Sequence, residues 1–449
     1  ARRVQLAKNR VGDGMATQVQ DDAPAKVQRV NSERVLLWIL LVVYIFNFID
    51  RQVVNILAEP IKRDLDLSDT QLGLLTGLAF ALFYAILGVP IARYADKPHS
   101  NRVGLISISL LLWSAMTAVS GLATNFTQLL LARVGVGVGE AGCTPAAHSL
   151  ISDMVPRERR ASAIAFYGLG IPIGGLLGMV IGGQLNDLWG WRTAFFVVGA
   201  PGILLSALVW LVLRDPRVSH AARKLRAATV AVPQINARAA LKEVLLSKAF
   251  VQLALGAGLI AFLAYGKGVW VAILFMRNHG LSPGETGLWL GLSGGIAGFI
   301  GTWAGGYLAD RFGKGNPRHL LTAPVVGIVL AAPLLFLGYR ADNWVTALAL
   351  LFIPGIANML YWGPTYSLAQ RLVRPHARAM ATAIMVFAQN LIGLGLGPLL
   401  FGMLSDALKP IAGPDSVRWV LYGAAWLGVL PAFFFWRASL RLKSDLDPE

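Results

Sequence analysis

Apolar runs of 20 or more residues recur along the chain, parted by short polar loops. Each is long enough for a helix to cross a hydrocarbon core about 30 Å thick. The pattern predicts twelve such spans, at roughly 34–58, 70–94, 102–123, 127–150, 160–186, 192–213, 248–276, 284–309, 319–339, 343–370, 377–404 and 417–439. Six precede a polar interval at 214–247 and six follow it.

The two sets of six repeat each other. Gly306-Tyr307-Leu308-Ala309-Asp310-Arg311-Phe312-Gly313-Lys314 follows span 8. A diverged copy, Ala92-Arg93-Tyr94-Ala95-Asp96-Lys97 with Arg102 beyond it, follows span 2, and Asp96 aligns with Asp310 at an offset of 214. Thr144-Pro145, Ser149-Leu150 and Arg160-Ala161 align with Gly363-Pro364, Ser367-Leu368 and Arg378-Ala379 at offsets of 218 or 219. Many secondary transporters are built from such a duplicated membrane unit. The predicted fold class is therefore all-α integral membrane, with twelve transmembrane helices in two pseudo-symmetric six-helix bundles. The expected divisions are a disordered cytoplasmic tail (1–33), an N-terminal bundle (34–213), a basic cytoplasmic linker (214–247), a C-terminal bundle (248–440) and a cytoplasmic tail (441–449).

Composition agrees. The chain is 55% hydrophobic and 14% charged, with mean hydropathy +0.59; a soluble domain carries nearer a quarter charged residues. With both termini cytoplasmic, the inside segments hold Arg93, Lys97, Arg102, Arg157, Arg159, Arg160, Arg311, Lys314, Arg318, Arg371, Arg374 and Arg378. The outside loops offer only Lys62, Arg63, Arg192, Arg277, Arg340, Lys409 and Arg418. This is the positive-inside pattern, and the expected location is a bacterial inner membrane, crossed many times. Anionic lipid headgroups are the natural partners of these loops, which accounts for the net charge of +16. No basic stretch carries interleaved aromatics, so nucleic acid is not expected as a partner. Cys143 is the only cysteine, so no intrachain disulfide and no Cys-based metal site is expected, nor any other cofactor.

The linker, rich in Arg214, Arg217, Arg223, Lys224, Arg226, Arg238 and Lys242, reads as an amphipathic helix on the membrane or as a plain tether. Glycines repeat every four residues at Gly174, Gly178 and Gly182, and at the pairs Gly294/Gly298 and Gly301/Gly305, a spacing that lets backbones pack closely. Pro145, Pro172, Pro354 and Pro364 lie inside spans and predict kinks.

Ionisable groups deep in a bilayer are costly, so each is a functional candidate. They are Asp50 and Arg51 in span 1, Arg133 and Glu140 in span 4, His148 near the inner end of span 4, and Lys267 in span 7. Asp50-Arg51 lies about 16 residues, roughly 24 Å, from the cytoplasmic end, just past the midplane. Arg133 and Glu140 are seven residues apart and share one helical stripe with Gly137. Moved by the offset between the halves, Asp50-Arg51 falls at 264–269, where Lys267 stands. Burial disfavours an ionised carboxylate and a nearby guanidinium favours it, so Asp50 and Glu140 form a candidate proton switch. Protonation would release Arg51 or Arg133 for an anionic substrate group. The competing reading is a buried ion-pair network that only fixes helix register. Tyr84, Asn358, Tyr361, Trp362, Tyr366, Gln389 and Asn390 are candidates for completing the cavity, and His148 reads as a hydrogen-bonded structural residue.

Taken together, these features resemble the major facilitator superfamily over about residues 34–440. The Gly306–Lys314 loop is similar to that superfamily's motif after spans 2 and 8, and the resemblance implies that Asp96, Asp310 and Arg311 latch the cytoplasmic gate. The first copy departs from the motif, with Ala92 for glycine and Lys97-Pro98-His99 for the basic run. Arg133-Val134-Gly135-Val136-Gly137-Val138-Gly139 resembles the span-4 motif of proton-coupled members. Phe46-Asn47-Phe48-Ile49-Asp50-Arg51 with Gly137-Val138-Gly139-Glu140-Ala141 resembles the spinster family, whose animal members export lysolipids, including sphingosine-1-phosphate. That resemblance implies Asp50 and Glu140 as the proton-coupling pair and Arg51 and Arg133 as their partners or as phosphate ligands. Substrate binding would then fall to Arg51, Arg133, Tyr84, Lys267, Asn358, Tyr361, Trp362, Gln389 and Asn390. An Asn-x-x-Asp-Arg turn also occurs in organic anion:cation symporters.

The expected function is proton-coupled transport of an amphipathic anionic lipid-like substrate, by alternating access in a monomer. The alternative is a symporter of a small organic anion of sugar-acid type. A membrane enzyme is not expected, because the chain has no Ser/His/Asp or paired-His metal arrangement and no sizeable soluble domain.

Overall fold

The computed structural model describes residues 33–218, 237–313, 316–374 and 377–446. The N-terminal tail, most of the linker, Lys314 and residues 447–449 lie outside the described residues. Every described element is helical. Span 1 is Glu33–Ile56, span 2 Asp69–Ala95 and span 3 Arg102–Ser120. Span 4 is two helices, Phe126–Glu140 and Cys143–Met154. Spans 5 and 6 share Arg157–Val212 and turn at Gly190, whose φ of 80° suits a residue without Cβ.

In the second half, span 7 is Lys248–Asn278, span 8 Pro283–Gly313 and span 9 Thr322–Arg340. Span 10 is Trp344–Ala357 with Trp362–Arg371, span 11 covers 378–412, and span 12 is Ser416–Leu427 with Val429–Leu446. Eight helical stretches are long and apolar enough to cross a membrane, and two of them, Arg157–Val212 and Met380–Leu442, each hold two crossings. With the broken span 4 and the glycine-rich span 8, the count reaches the expected twelve.

The internal repeat explains where helices break. Pro145 and Pro364, equivalent positions of the two halves, offer no N–H to the carbonyls of Ala141 and Leu360. Span 4 breaks between Glu140 and Cys143, and span 10 between Ala357 and Trp362. Span 11 adds a π-helical segment, Gln389–Leu396, and span 2 another, Leu74–Leu78. Such bulges widen a helix locally and frequently mark functional positions.

We call the face where span 1 starts and span 12 ends the terminal face, and its opposite the distal face. Near the distal face one apolar core unites both bundles, joining Ile49, Leu72 and Phe195 with Trp270, Phe401 and Leu421. Toward the terminal face the cores separate. One, around Leu40, Trp113 and Tyr167, belongs to the first bundle apart from Leu394 and the flanking Tyr265. The other, around Phe250, Leu368 and Phe435, belongs wholly to the second. The bundles therefore close on each other distally and part toward the terminal face.

The glycine ladder of span 5 is a packing device. A Cβ on Gly174 would lie 2.5 Å from the Ile45 carbonyl oxygen and one on Gly178 2.8 Å from that of Ile49, so span 5 lies directly on the span 1 backbone. Gly301 and Gly305 do the same against Ile356 and Leu360 of span 10, whereas Gly294 and Gly298 face open space.

Candidate functional site

Span 4 reaches the centre of the first bundle because its glycines admit neighbouring backbones. A Cβ on Gly137 would lie 2.6 Å from the Phe80 carbonyl oxygen, and one on Gly139 2.7 Å from the Trp113 nitrogen. This approach carries Arg133 and Glu140 against span 1. Arg51 Nε donates to Glu140 Oε2 at 2.7 Å; the Glu140 side chain is fully buried and that of Arg51 is 13% exposed. The Arg51 guanidinium lies over the rings of Phe48, Phe80 and Tyr84 at 5.1, 4.8 and 4.8 Å, and Arg133 lies over Phe80 at 5.8 Å. Phe80 thus serves as a ring shared by two guanidinium groups, a cation–π arrangement favoured where water is excluded.

Behind Arg51 the site is buried and polar. Asn47, Asp50, Arg133 and Glu140 are all buried. Asp50 has Glu140, Arg133, Arg51 and Thr117 as electrostatic neighbours. No ion pair of Asp50 or Arg133 forms among the described residues. Thr117 lies beside Asp50 and Asn47 beside Glu140, while Trp113 Nε1 and the Arg133 guanidinium are buried without a hydrogen bond among the described residues. Buried polar groups are costly in an apolar bundle, so their concentration in one place sets this cluster apart from the packing around it.

On the second bundle, the Tyr366 hydroxyl donates to Gln389 Oε1 at 2.8 Å, and its ring lies 5.1 Å from that of Trp362. Trp362 is exposed, Gln389 is buried, and Asn358 and Asn390 are half-buried. Tyr361 is buried and stacked on Phe435 at 6.0 Å, a packing position. Tyr265 of span 7 is an electrostatic neighbour of Arg51 on one side and of Tyr361 and Tyr366 on the other, so it links the two sets.

Lys267 is not brought into the cluster. It is buried and forms no hydrogen bond or ion pair with Asp50, Arg51, Arg133 or Glu140 among the described residues. The repeat placed Lys267 at matching depth, but depth does not fix which face of the helix a side chain takes. His148 is exposed and meets Tyr167 edge-on at 5.5 Å, with no hydrogen bond among the described residues. Asp96, Asp310 and Arg311 are exposed at the terminal face and join no ion pair there among the described residues, consistent with bundles that have parted. Among the described residues, the buried charges at that face are Arg102, Asp215 and Arg217. Arg102 pairs with Asp215 at 2.7 Å and Asp153 at 2.9 Å, and Arg217 with Asp153 at 2.7 Å.

A sequence profile for the Major Facilitator Superfamily matches residues 40–398. The chain belongs to the major facilitator superfamily. It is 33% identical over 414 residues to an MFS-type efflux pump of Mycolicibacterium smegmatis, covering 92% of this chain and 94% of that protein. It is 26% identical to protein spinster homolog 1 of Xenopus laevis, covering 92% of this chain and 81% of that one. Among solved structures, a bacterial homolog of the human lysosomal transporter spinster, inward-facing and unoccupied, superposes with a TM-score of 0.83 at 32% identity, covering 93% of this chain and 99% of that one. Within the superfamily this is a secondary transporter of the spinster type. Proteins of this superfamily are transporters, not enzymes.

Sequence reasoning did not single out Phe80, Trp113, Thr117 or Tyr265. None is charged near neutral pH, so none stands out in an apolar run. The available signal was spacing: Phe80 and Tyr84, like Trp113 and Thr117, are four apart and share a helix face.

Proposed function

We propose that this major facilitator protein moves an amphipathic anion, a lysolipid-like molecule, in exchange for or together with protons, with its terminal face in the cytoplasm. The observation that carries the reading is the Arg51–Glu140 pair, one member at the edge of the cleft and the other fully buried. An ionised Glu140 holds Arg51; a protonated Glu140 frees it for an anionic headgroup. Asp50, three residues from Asn47 on the same helix, is the second proton carrier, and Arg133 offsets the pair's charge. Tyr84, Trp362, Gln389 and Asn390 line the remainder of the headgroup site, with Asn358 at the break in span 10. Lys267 of span 7, which joins no ion pair of the cluster, would be a further cation for the substrate's anionic group. Closure of the terminal face would bring Asp96, Asp310 and Arg311 into the latch that the superfamily motif implies.

An apolar tail needs an apolar route. Spans 5 and 8 touch near Gly291 and Gly295, then part, since Gly298 has nothing within 4 Å. Ile296, Phe299, Ile300 and Trp303 of span 8 and Leu169, Ile171 and Ile173 of span 5 are exposed. Apolar side chains on both spans would suit an acyl chain better than a sugar acid, which needs polar groups all round. Similarity to protein spinster homolog 1 supports the same reading.

The test is flux in proteoliposomes of a labelled lysophospholipid and a labelled sugar acid under an imposed proton gradient. Gradient-dependent lysolipid movement that disappears in Asp50→Asn is expected. Movement of the sugar acid alone would overturn the substrate assignment.

A further inference from the structure

The distal face is closed by one device used twice. Span 2 begins at Ser68-Asp69-Thr70-Gln71 and span 8 at Ser282-Pro283-Gly284-Glu285, equivalent positions of the two halves at an offset of 214. Both starts are reciprocal capping boxes. The Ser68 hydroxyl accepts from the Gln71 N–H at 3.0 Å and Gln71 Oε1 from the Ser68 N–H at 2.9 Å. The Ser282 hydroxyl accepts from the Glu285 N–H at 3.1 Å and Glu285 Oε2 from the Ser282 N–H at 2.9 Å. A capping box leaves other N–H groups of the first turn without partners.

In each case a carboxylate from the opposite bundle takes them. Asp406 of span 11 accepts from the Asp69 N–H at 3.1 Å, the Thr70 N–H at 2.7 Å and the Thr70 hydroxyl at 2.7 Å. Asp187, between spans 5 and 6, accepts from the Gly284 N–H at 2.9 Å and the Ser282 hydroxyl at 2.6 Å. Asp187 and Asp406 are themselves equivalent, at the same offset as Pro145 and Pro364. The surrounding glycines obey the same relation. A Cβ on Gly73 would collide with the Pro398 carbonyl oxygen, and one on Gly287, its equivalent in the second half, with that of Met179.

The geometry points to Asp187 and Asp406 as the paired gate residues of the distal face, each holding shut one seam between the bundles by capping a helix of the other. Spans 2 and 11 form one seam, spans 5 and 8 the other. A carboxylate on helix-start N–H groups is favoured by the charge of the helix end as well as by its hydrogen bonds. Opening the distal face must break both caps and leave those N–H groups to water.

The seams are not equally strong. The span 2–span 11 seam carries an added ionic brace, in which Arg277 of the second bundle pairs with Glu59 at 2.7 Å and Asp69 at 2.8 Å, and Lys62 also pairs with Asp69. Ser405 donates to Asp69 at 2.6 Å. At the span 5–span 8 seam the described residues show no cross-bundle ion pair, and Asp187 is the cap. Because both seams must part together, loss of either cap should favour the open face, and loss of both should favour it most.

The inference rests on the reading that the transporter alternates between faces, and its test needs neither substrate nor proton gradient. Spin labels on Leu122→Cys and Ile411→Cys, both exposed and on opposite bundles near the distal face, report the gap by pulsed electron resonance, while Cys143 is buried. The parent protein should show one short distance. Asp187→Ala and Asp406→Ala should each raise the long-distance fraction about tenfold, the scale of a lost helix cap, and the double variant should raise it most. Asp187→Asn and Asp406→Asn keep an acceptor and serve where an alanine variant does not fold; they should shift the distribution in the same direction. Unchanged distances in folded variants, with only a lower melting temperature, would overturn the assignment. A gate that opens as described in a protein moving no lysolipid would refute the substrate reading alone.

Discussion

Arg51 and Glu140 meet at 2.7 Å across spans 1 and 4, yet only Arg51 retains exposed surface. A pair with one member at the cleft and one sealed behind it can pass a change in protonation to a ligand. A register-fixing ion pair would have no need of that asymmetry, nor of the buried Asn47, Asp50 and Arg133 around it.

Replacing Arg51 should therefore harm both folding and binding. Arg51→Met leaves Glu140 buried without its partner, a loss of about 3–5 kcal/mol unless Glu140 takes up a proton. The double variant Arg51→Met/Glu140→Gln should recover most of the melting temperature without recovering transport. Thermal melts of the three proteins in detergent check this. Equal melting temperatures for the single and double variants would show that the pair does not act as a unit.

Neighbouring glycines on span 5 should differ sharply. Gly174→Ala forces a Cβ to 2.5 Å from the Ile45 carbonyl oxygen, while Gly175 has nothing within 4 Å. Overpacking of that kind typically destabilises by about 1–3 kcal/mol. Gly175→Ala should be near neutral, and melting temperatures of the two variants decide the matter.

The terminal-face network gives a pH prediction. Burial works against ionisation of Asp215, yet hydrogen bonds from the Arg102 side chain and the Arg217 N–H, with the Arg102 charge, hold it below the usual carboxylate range. A depressed folded value means the stabilisation is complete above the unfolded value, about 4. It is lost only as pH falls through the lower folded value. Asp215→Asn should melt lower than the parent by a constant margin from about pH 8 to pH 5, and the margin should shrink below about pH 4. A margin already shrinking near pH 6 would contradict the sign.

Much of the fold was legible because its signals are long and repetitive. Span lengths follow bilayer thickness, and of the four prolines expected to kink their spans, Pro145 and Pro364 stand just past the breaks in spans 4 and 10. Asp50, Arg51, Arg133 and Glu140 were legible because charge inside apolar runs is rare. Lys267 was legible on the same ground, though it forms no ion pair with that cluster among the described residues. Asp69, Asp187, Arg277 and Asp406 were invisible for the opposite reason. They stand at span ends, where charges are ordinary, and their importance lies in which bundle each one touches.

The most direct test of the central claim follows protons and not lipid. In proteoliposomes with a pH-sensitive dye inside, addition of lysophospholipid without an imposed gradient should move protons in the parent protein. Glu140→Gln should still bind lysophospholipid, because Arg51 is free, but should move no protons. Proton movement in Glu140→Gln equal to that of the parent would contradict the account.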